Sequence, residues 1–308
     1  MNSSRSVKLA AEVAGCVAHG TIVRCDEPLA ARTTLRVGGP ADVYVEPVSE
    51  TDLAAVVKLC RAQSVPVLLL GRGSNLLVRD GGFRGVVICL AQPAFTRIEV
   101  SGERVWCGAG ARLKNVVAEA KRHTLGGLEF LDGIPGGVGG ALRMNAGAMG
   151  AAIFDRVESV RCLDMAGNIV EKTRAELPVE YRACPWFREN LALAAVLRGE
   201  PATRESIDAR LNEFNRRRWE AQPAKPSAGC TFKNPPTIPA GRLIDELGLK
   251  GLRVGGAMVS LEHGNFLVNE GGATAAEVLE LIEQIRARAR QERGIELHPE
   301  VEIVGESR

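Results

Sequence analysis

Residues 126–150 read GGLEFLDGIPGGVGGALRMNAGAMG, with nine glycines that follow no period and are mixed with Pro135, Asn145 and small apolar side chains. Glycine lacks a Cβ, so such a stretch lets main-chain amides close on a bulky ligand. A loop that merely turns the chain is the alternative, but this many glycines carry a large entropic cost for that purpose alone. Ligand contact is therefore the better reading. The candidate contacts are Gly133, Ile134, Pro135, Gly136, Gly139, Gly140, Asn145, Ala146 and Gly147, and the Asn145 amide suits the polar edge of a planar ring.

Upstream, GRGSNLLVRDGG at 71–82 follows the apolar run Val65 to Leu70, which makes Gly71, Arg72, Gly73, Ser74, Asn75 and Leu76 a strand-to-turn element whose amides can hold a pyrophosphate. On its own this element fits a tight turn with no ligand equally well, since neither G-K-[ST] nor G-x-G-x-x-G follows the strand. Two such cradles in one chain shift the balance. They point to a large cofactor with an anionic bridge.

A strand (VYVEP), a helix over 51–62, a strand (VPVLLLG), the first glycine turn and a strand (FRGVVICL) form one small α/β unit. A second unit follows: paired strands TRIEV and ERVWCGAG, a helix over 113–122, the glycine run, and a hairpin in RVESVRCLDMAGNIVE turning at 166–168. The polar stretch RGEPATRES marks a boundary before a helix over 204–219. Beyond it lie PSAGCTFKNP, the helix GRLIDELGL, an apolar strand region at 254–260, a long helix over 274–293 and a closing strand PEVEIVG. This divides the chain into an N-terminal extension (1–30) with a short helix and tail, a cofactor domain (31–200, in subdomains 31–92 and 93–200) and a C-terminal domain (201–308).

The 308 residues exceed a comfortable single core, in line with that division. A net charge of +2 gives no reason to expect a polyanion such as duplex DNA as partner, and Arg286, Arg288 and Arg290 spread around their helix as solvated side chains. The eight cysteines have irregular spacings without C-x-x-C and read as reduced thiols, which fits a cytoplasmic protein. No apolar stretch is long enough to span a bilayer, so no membrane partner is expected.

GRGSNLLVRDGGF, GIPGGVGGALRMNAGA, EYR, PSAGCTFKNP, AGRLIDELGLKG and LHPEVEIVG occur in this order, and together they resemble the UDP-N-acetylenolpyruvoylglucosamine reductase family from about Thr33 to Gly305. The resemblance implies an α+β protein: an FAD-binding domain of the vanillyl-alcohol-oxidase (PCMH) type in two α/β subdomains, followed by an α+β substrate-binding domain. It also implies FAD as cofactor, NADPH as co-substrate, UDP-N-acetylglucosamine enolpyruvate as substrate, a role in peptidoglycan precursor synthesis, and a monomer. The stretch 185–218 contains no tyrosine, which resembles the family's shorter, type II form.

In such enzymes hydride from reduced flavin adds to C3 of the enolpyruvyl double bond, which leaves negative charge on C2 and the carboxylate. A cation, an acid partner and a proton donor are then required. By the resemblance Arg182 is the cation, suited by a planar fork that stays charged, although Cys184 and Pro185 stand where the family commonly has serine. Glu300 matches the catalytic carboxylate. In a strand Glu300 and Glu302 share a face, so periodicity alone does not choose between them. Cys230 stands where most relatives carry the serine that protonates C2, and a thiol, with a reference pKa near 8.5, is a far stronger acid than an alkyl hydroxyl. A buried cysteine acting as a small hydrophobe is the plainer alternative. Asn234, Lys250 and His263 match positions near the substrate, while Glu262 replaces a residue that is often basic. An alcohol oxidase of the same broad fold, or a noncatalytic binder of flavin or a uridine nucleotide, is the rival function.

Overall fold

The structure, a computed structural model, describes residues 3–307. Contacts gather them into two compact units that are discontinuous in sequence: residues up to Asp26, Val43–Arg72 and Gly85–Arg216 in the first, and Glu27–Asp42, Gly73–Arg84 and residues from Arg217 in the second.

The first unit is built around alternating patterns that bury one face. A four-stranded sheet runs in the order Ile22–Pro28, Pro40–Glu46, Phe83–Ile88, Val67–Leu69, the last pair parallel. Helix Glu50–Ala62 begins where Ser49 Oγ accepts from the Asp52 amide at 3.1 Å, and it buries Leu53, Val56, Val57 and Cys60 at helical spacing. A five-stranded antiparallel sheet follows in the order Ile169–Thr173, Val157–Asp164, Asn190–Arg198, Arg104–Gly108, Ile98–Ser101. Helix Leu113–Arg122 buries Leu113, Val116, Val117 and Ala120. All of these side chains join one apolar cluster.

The second unit has its own core around Phe232, Leu243, Ile244, Leu267, Leu281 and Ile285. Its four-stranded antiparallel sheet runs Ser227–Cys230, Phe266–Asn269, Ala257–Val259, Arg253–Val254. Helix Ala275–Arg293 starts in a capping box, with Thr274 Oγ1 accepting from the Glu277 amide and Glu277 from the Thr274 amide. It ends at Gly294 with φ 64°. The arginines of this helix are bound to carboxylates at the surface: Arg286 to Glu283 and Glu296, Arg290 to Glu296, and Arg288 to Glu292.

Four local expectations change. The first residues are not a helix and tail: Ser3–Gly15 is helical and packs Leu9, Ala10 and Val13 into the first core, and Ile22–Pro28 is an edge strand. The apolar region 254–260 is two strands, because Gly255, at φ 52°, turns the chain between them. The glycine run contains a short helix, Val138–Arg143. Finally, the closing strand is Glu302–Val304, parallel to Leu76–Val78, so Glu300 precedes it and shares no strand face with Glu302. No helix of the described residues is long and apolar enough to cross a membrane.

Candidate active site

In the first unit, the glycine run and Arg182 come together. Residues 180–183 form a tight turn closed by the Glu180 amide to the Ala183 carbonyl at 2.9 Å and the reverse bond at 3.3 Å. Arg182 occupies its left-handed position, with φ 57°. Non-glycine residues adopt that conformation at a cost, which is often accepted at functional turns. Its guanidinium lies 5.3 Å from the Tyr181 ring and donates through Nη1 to the Gly147 carbonyl at 3.3 Å. The Cys184 amide donates to the Arg143 carbonyl at 2.9 Å, fastening this loop to the end of the short helix. Cys184 itself is buried, and burial pushes its thiol above the ordinary range.

Asn145 follows the same helix with φ 39°. Its Nδ2 donates to the Glu180 carbonyl at 3.0 Å, whereas its buried Oδ1 accepts no hydrogen bond from the described residues. A buried acceptor left without a donor is costly. The imide N–H of an isoalloxazine ring is the kind of donor it lacks, so this part of the chain fits FAD. Around it, space at the glycines divides. A Cβ on Gly140 would meet nothing within 4 Å, whereas one on Gly139 would lie 3.2 Å from the Ala109 side chain and one on Gly147 2.7 Å from the Ala151 carbonyl oxygen. Gly139 and Gly147 are thus glycines at least partly for the chain's own packing. Ala146 donates its amide to the Ala141 carbonyl, and Gly136 donates to Ile134 and accepts from Leu113, so these backbone groups close the turn itself. Gly133, Ile134 and Pro135 lead into that turn, only Pro135 being exposed.

The upstream cradle is likewise mixed. Gly71 and Arg72 are exposed in the first unit, and a Cβ on Gly71 would meet nothing within 4 Å. In the second unit Gly73, at φ 60°, would bring a Cβ to 2.7 Å from both the Arg32 carbonyl oxygen and the Thr33 Cα, so its own chain already demands glycine. Asn75 Nδ2 donates to the Glu300 carbonyl at 3.1 Å, and the Glu302 amide donates to the Asn75 carbonyl at 3.0 Å. Its carboxamide therefore positions the backbone of Glu300. Leu76 opens the buried strand Leu76–Val78. Ser74 lies near Gly229: its carbonyl oxygen would be 3.8 Å from a Cβ there.

Cys230 ends strand Ser227–Cys230, opposite Phe266. The register breaks between Ser227 and Cys230, where Gly229 has φ 77°, a bulge that re-aims the residue after it. Cys230 is half-buried. One residue on, Thr231 accepts from the Glu300 amide at 2.8 Å, and Phe232 bridges to Pro299. Two segments seventy residues apart thus run side by side at the two residues assigned to proton delivery and charge stabilisation.

A cavity of about 330 Å³ opens in the second unit, with Cys230, Asn234, Arg242, Lys250, Glu262 and His263 among its lining residues. Asn234 Oδ1 accepts from the Ala240 amide at 3.0 Å, which holds the start of helix Ala240–Glu246 and leaves the carboxamide nitrogen outside that bond. Lys250 Nζ sits 2.9 Å from Asp245 Oδ2. His263 Nδ1 accepts from the Asn265 amide at 3.0 Å, so a neutral ring carries its proton on Nε2. Burial, with the Lys250 charge nearby, lowers the pKa of His263 and favours that neutral form. Glu262 accepts from Ser260 Oγ at 2.5 Å, which holds its carboxyl below the ordinary range and keeps it anionic at the cavity wall.

Asn265 and Arg242 also reach this region, and neither is among the residues expected from sequence. Arg242 stands inside AGRLIDELGLKG but binds Glu246 one turn on, the pattern of an ordinary surface pair. Asn265 carried no distinguishing signal within SLEHGNFLVN.

The second half of the chain, residues 222–304, matches the model of the UDP-N-acetylenolpyruvoylglucosamine reductase C-terminal domain, and residues 41–173 match an FAD binding domain. A UDP-N-acetylenolpyruvoylglucosamine reductase of Geobacter metallireducens is 46% identical over 307 residues, covering 99% of this chain and all of its own. One of Clostridium botulinum is 42% identical over 286 residues, covering 92% of this chain and 93% of its own. The crystal structure of the Thermus caldophilus reductase superposes with a TM-score of 0.79 at 41% identity, over 92% of this chain and 99% of that one.

Proposed function

This chain belongs to the UDP-N-acetylenolpyruvoylglucosamine reductase family, and we propose that within its reaction Arg182 and Glu300 stabilise the charge that develops on the substrate while Cys230 delivers the proton. It is an FAD enzyme of peptidoglycan synthesis that uses NADPH as hydride donor. The substrate in this reading is UDP-N-acetylglucosamine enolpyruvate and the product is UDP-N-acetylmuramate. Residues 31–200 serve FAD, residues 201–308 serve the nucleotide substrate, and the protein acts as a monomer in the cytoplasm.

FAD, held by Asn145 and the glycine-rich turns, supplies on reduction the hydride that adds to C3 of the enolpyruvyl group. The rest falls to side chains. The Arg182 fork binds the carboxylate and opposes the charge arriving there, which lowers the barrier because the guanidinium is already oriented by Gly147 and Tyr181. Cys230 then gives its proton to C2: the S–H bond breaks, a C–H bond forms, and the thiolate regains a proton from water. Glu300 lies beside this transfer as the acid partner. In the cavity, Lys250 and the Asn234 amide contribute donors for the diphosphate, and the Nε2–H of His263 adds a neutral one.

The observation that supports this reading best is the bond from the Glu300 amide to the carbonyl of Thr231, next to Cys230, which gives carboxylate and thiol one shared scaffold. The test separates the half-reactions by stopped-flow absorbance. Cys230→Ala should keep flavin reduction by NADPH and lose reoxidation by substrate, whereas Cys230→Ser should keep measurable turnover. Reoxidation of the alanine variant at the parent rate would sink the assignment.

A further inference from the structure

The strand that carries Cys230 outruns its partner. Its ladder with Phe266–Asn269 reaches Cys230 opposite Phe266, and one more bond follows, from the Thr231 amide to the Asn265 carbonyl at 2.8 Å. The neighbouring chain then turns away at Gly264, where a Cβ would come within 2.5 Å of the Gly241 carbonyl oxygen. The backbone of Phe232 would be left without a strand beside it. The Asn265 side chain takes that place: Oδ1 accepts from the Phe232 amide at 2.8 Å, and Nδ2 donates to the Phe232 carbonyl at 2.8 Å. One carboxamide thus reproduces both bonds of a strand pair.

Asn265 is 2% exposed, so each of these bonds is shielded from water and costly to lose. On the opposite edge, the same short segment is tied to the end of the chain through Glu300 to Thr231 at 2.8 Å and Lys233 to His298 at 2.9 Å. The segment between Cys230 and Lys233 is therefore held from both sides. The Asn265 backbone amide also sets the His263 tautomer through Nδ1.

We propose that Asn265 is a positioning residue for the proton-delivery step, its carboxamide fixing the Cys230 thiol relative to Glu300 by completing the strand at Phe232. The inference rests on the reading of Cys230 as proton donor. Asn265 itself touches no reacting atom; it acts through the backbone between Cys230 and Glu300.

Stopped-flow measurements on the FAD-loaded full chain test it. Asn265→Ala should leave flavin reduction by NADPH unchanged and slow reoxidation by substrate by roughly tenfold to 100-fold, the scale of a misplaced reacting group. The solvent deuterium isotope effect on reoxidation should rise as proton delivery becomes limiting. A second readout needs no turnover: alkylation of Cys230, followed by peptide mass spectrometry, should change by severalfold in the variant relative to the exposed Cys16 and Cys25. If the alanine variant does not fold, Asn265→Asp keeps an acceptor for the Phe232 amide, loses the donor to its carbonyl, and should move the same readouts in the same direction. Reoxidation at the parent rate in a folded Asn265 variant, with Cys230→Ala slow, would overturn the inference alone. Parent rates in both would overturn the Cys230 reading beneath it. Slower reoxidation with unaltered isotope effect and alkylation would reduce Asn265 to a packing residue and also reject the proposal.

Discussion

The turn at 71–76 and the run at 126–150 look alike in sequence, each pairing glycines with an asparagine, yet they differ in what occupies the space around them. At Gly73 the neighbouring chain fills the position of the missing Cβ, and at Asn75 the amide is engaged with the Glu300 carbonyl. At Gly140 the same position is open, and at Asn145 a buried oxygen lacks a donor among the described residues. Glycine and asparagine can therefore serve either the protein's own closure or an incoming ligand. The difference lies in whether the available space and hydrogen-bonding capacity are already taken.

Substitutions at these positions probe that contrast. The largest effect is expected at Gly73→Ala, where a backbone clash at 2.7 Å adds to an unfavourable φ of 60°. Stability should fall by about 3 kcal/mol or more in denaturant unfolding of the FAD-free protein, and a loss below about 1 kcal/mol would show that the turn has room to relax. Next is Asn145→Ala. Removing an acceptor that FAD would satisfy should weaken FAD binding by about tenfold while stability of the FAD-free protein changes little; titration of flavin fluorescence reads this directly. The smallest effect is expected at Gly140→Ala, in helix Val138–Arg143. With no neighbour to strike, the added methyl should stabilise the FAD-free protein by up to about 1 kcal/mol. FAD affinity should fall at the same time. Unchanged affinity would place Gly140 outside the flavin site and erase the contrast with Gly73.

Much of the fold was legible because it is written in short-range periodicity. Leu113, Val116, Val117 and Ala120 stand at helical spacing, and the helix over 113–122 falls where that pattern lies. The same holds for Val278, Ile282 and Ile285 in helix Ala275–Arg293, started by Thr274 and Glu277. Short elements were harder to read. Arg253–Val254 and Ala257–Val259 merged into one apolar region, because two- and three-residue strands are too brief to display alternation. The glycine run hid its six-residue helix, since its composition argues against helix and only packing of Val138, Ala141 and Leu142 sustains it. In the candidate site, Arg182, Cys230 and Glu300 were recognisable by motif, but Asn265 was not: its partner Phe232 lies thirty-three residues earlier and is met only through the folded sheet.

From the chain of amino acids alone came the family, the flavin cofactor, the type of most long elements and the side chains suited to hydride reduction, since these depend on residue chemistry and local spacing. Folding decided which glycines face their own backbone, that Glu300 stands before its strand instead of within it, and that the Asn75 and Asn265 carboxamides are devoted to holding other segments in place. Those outcomes depend on which distant groups arrive at hydrogen-bonding distance. Local spacing does not encode that arrival; the packing of the complete core does.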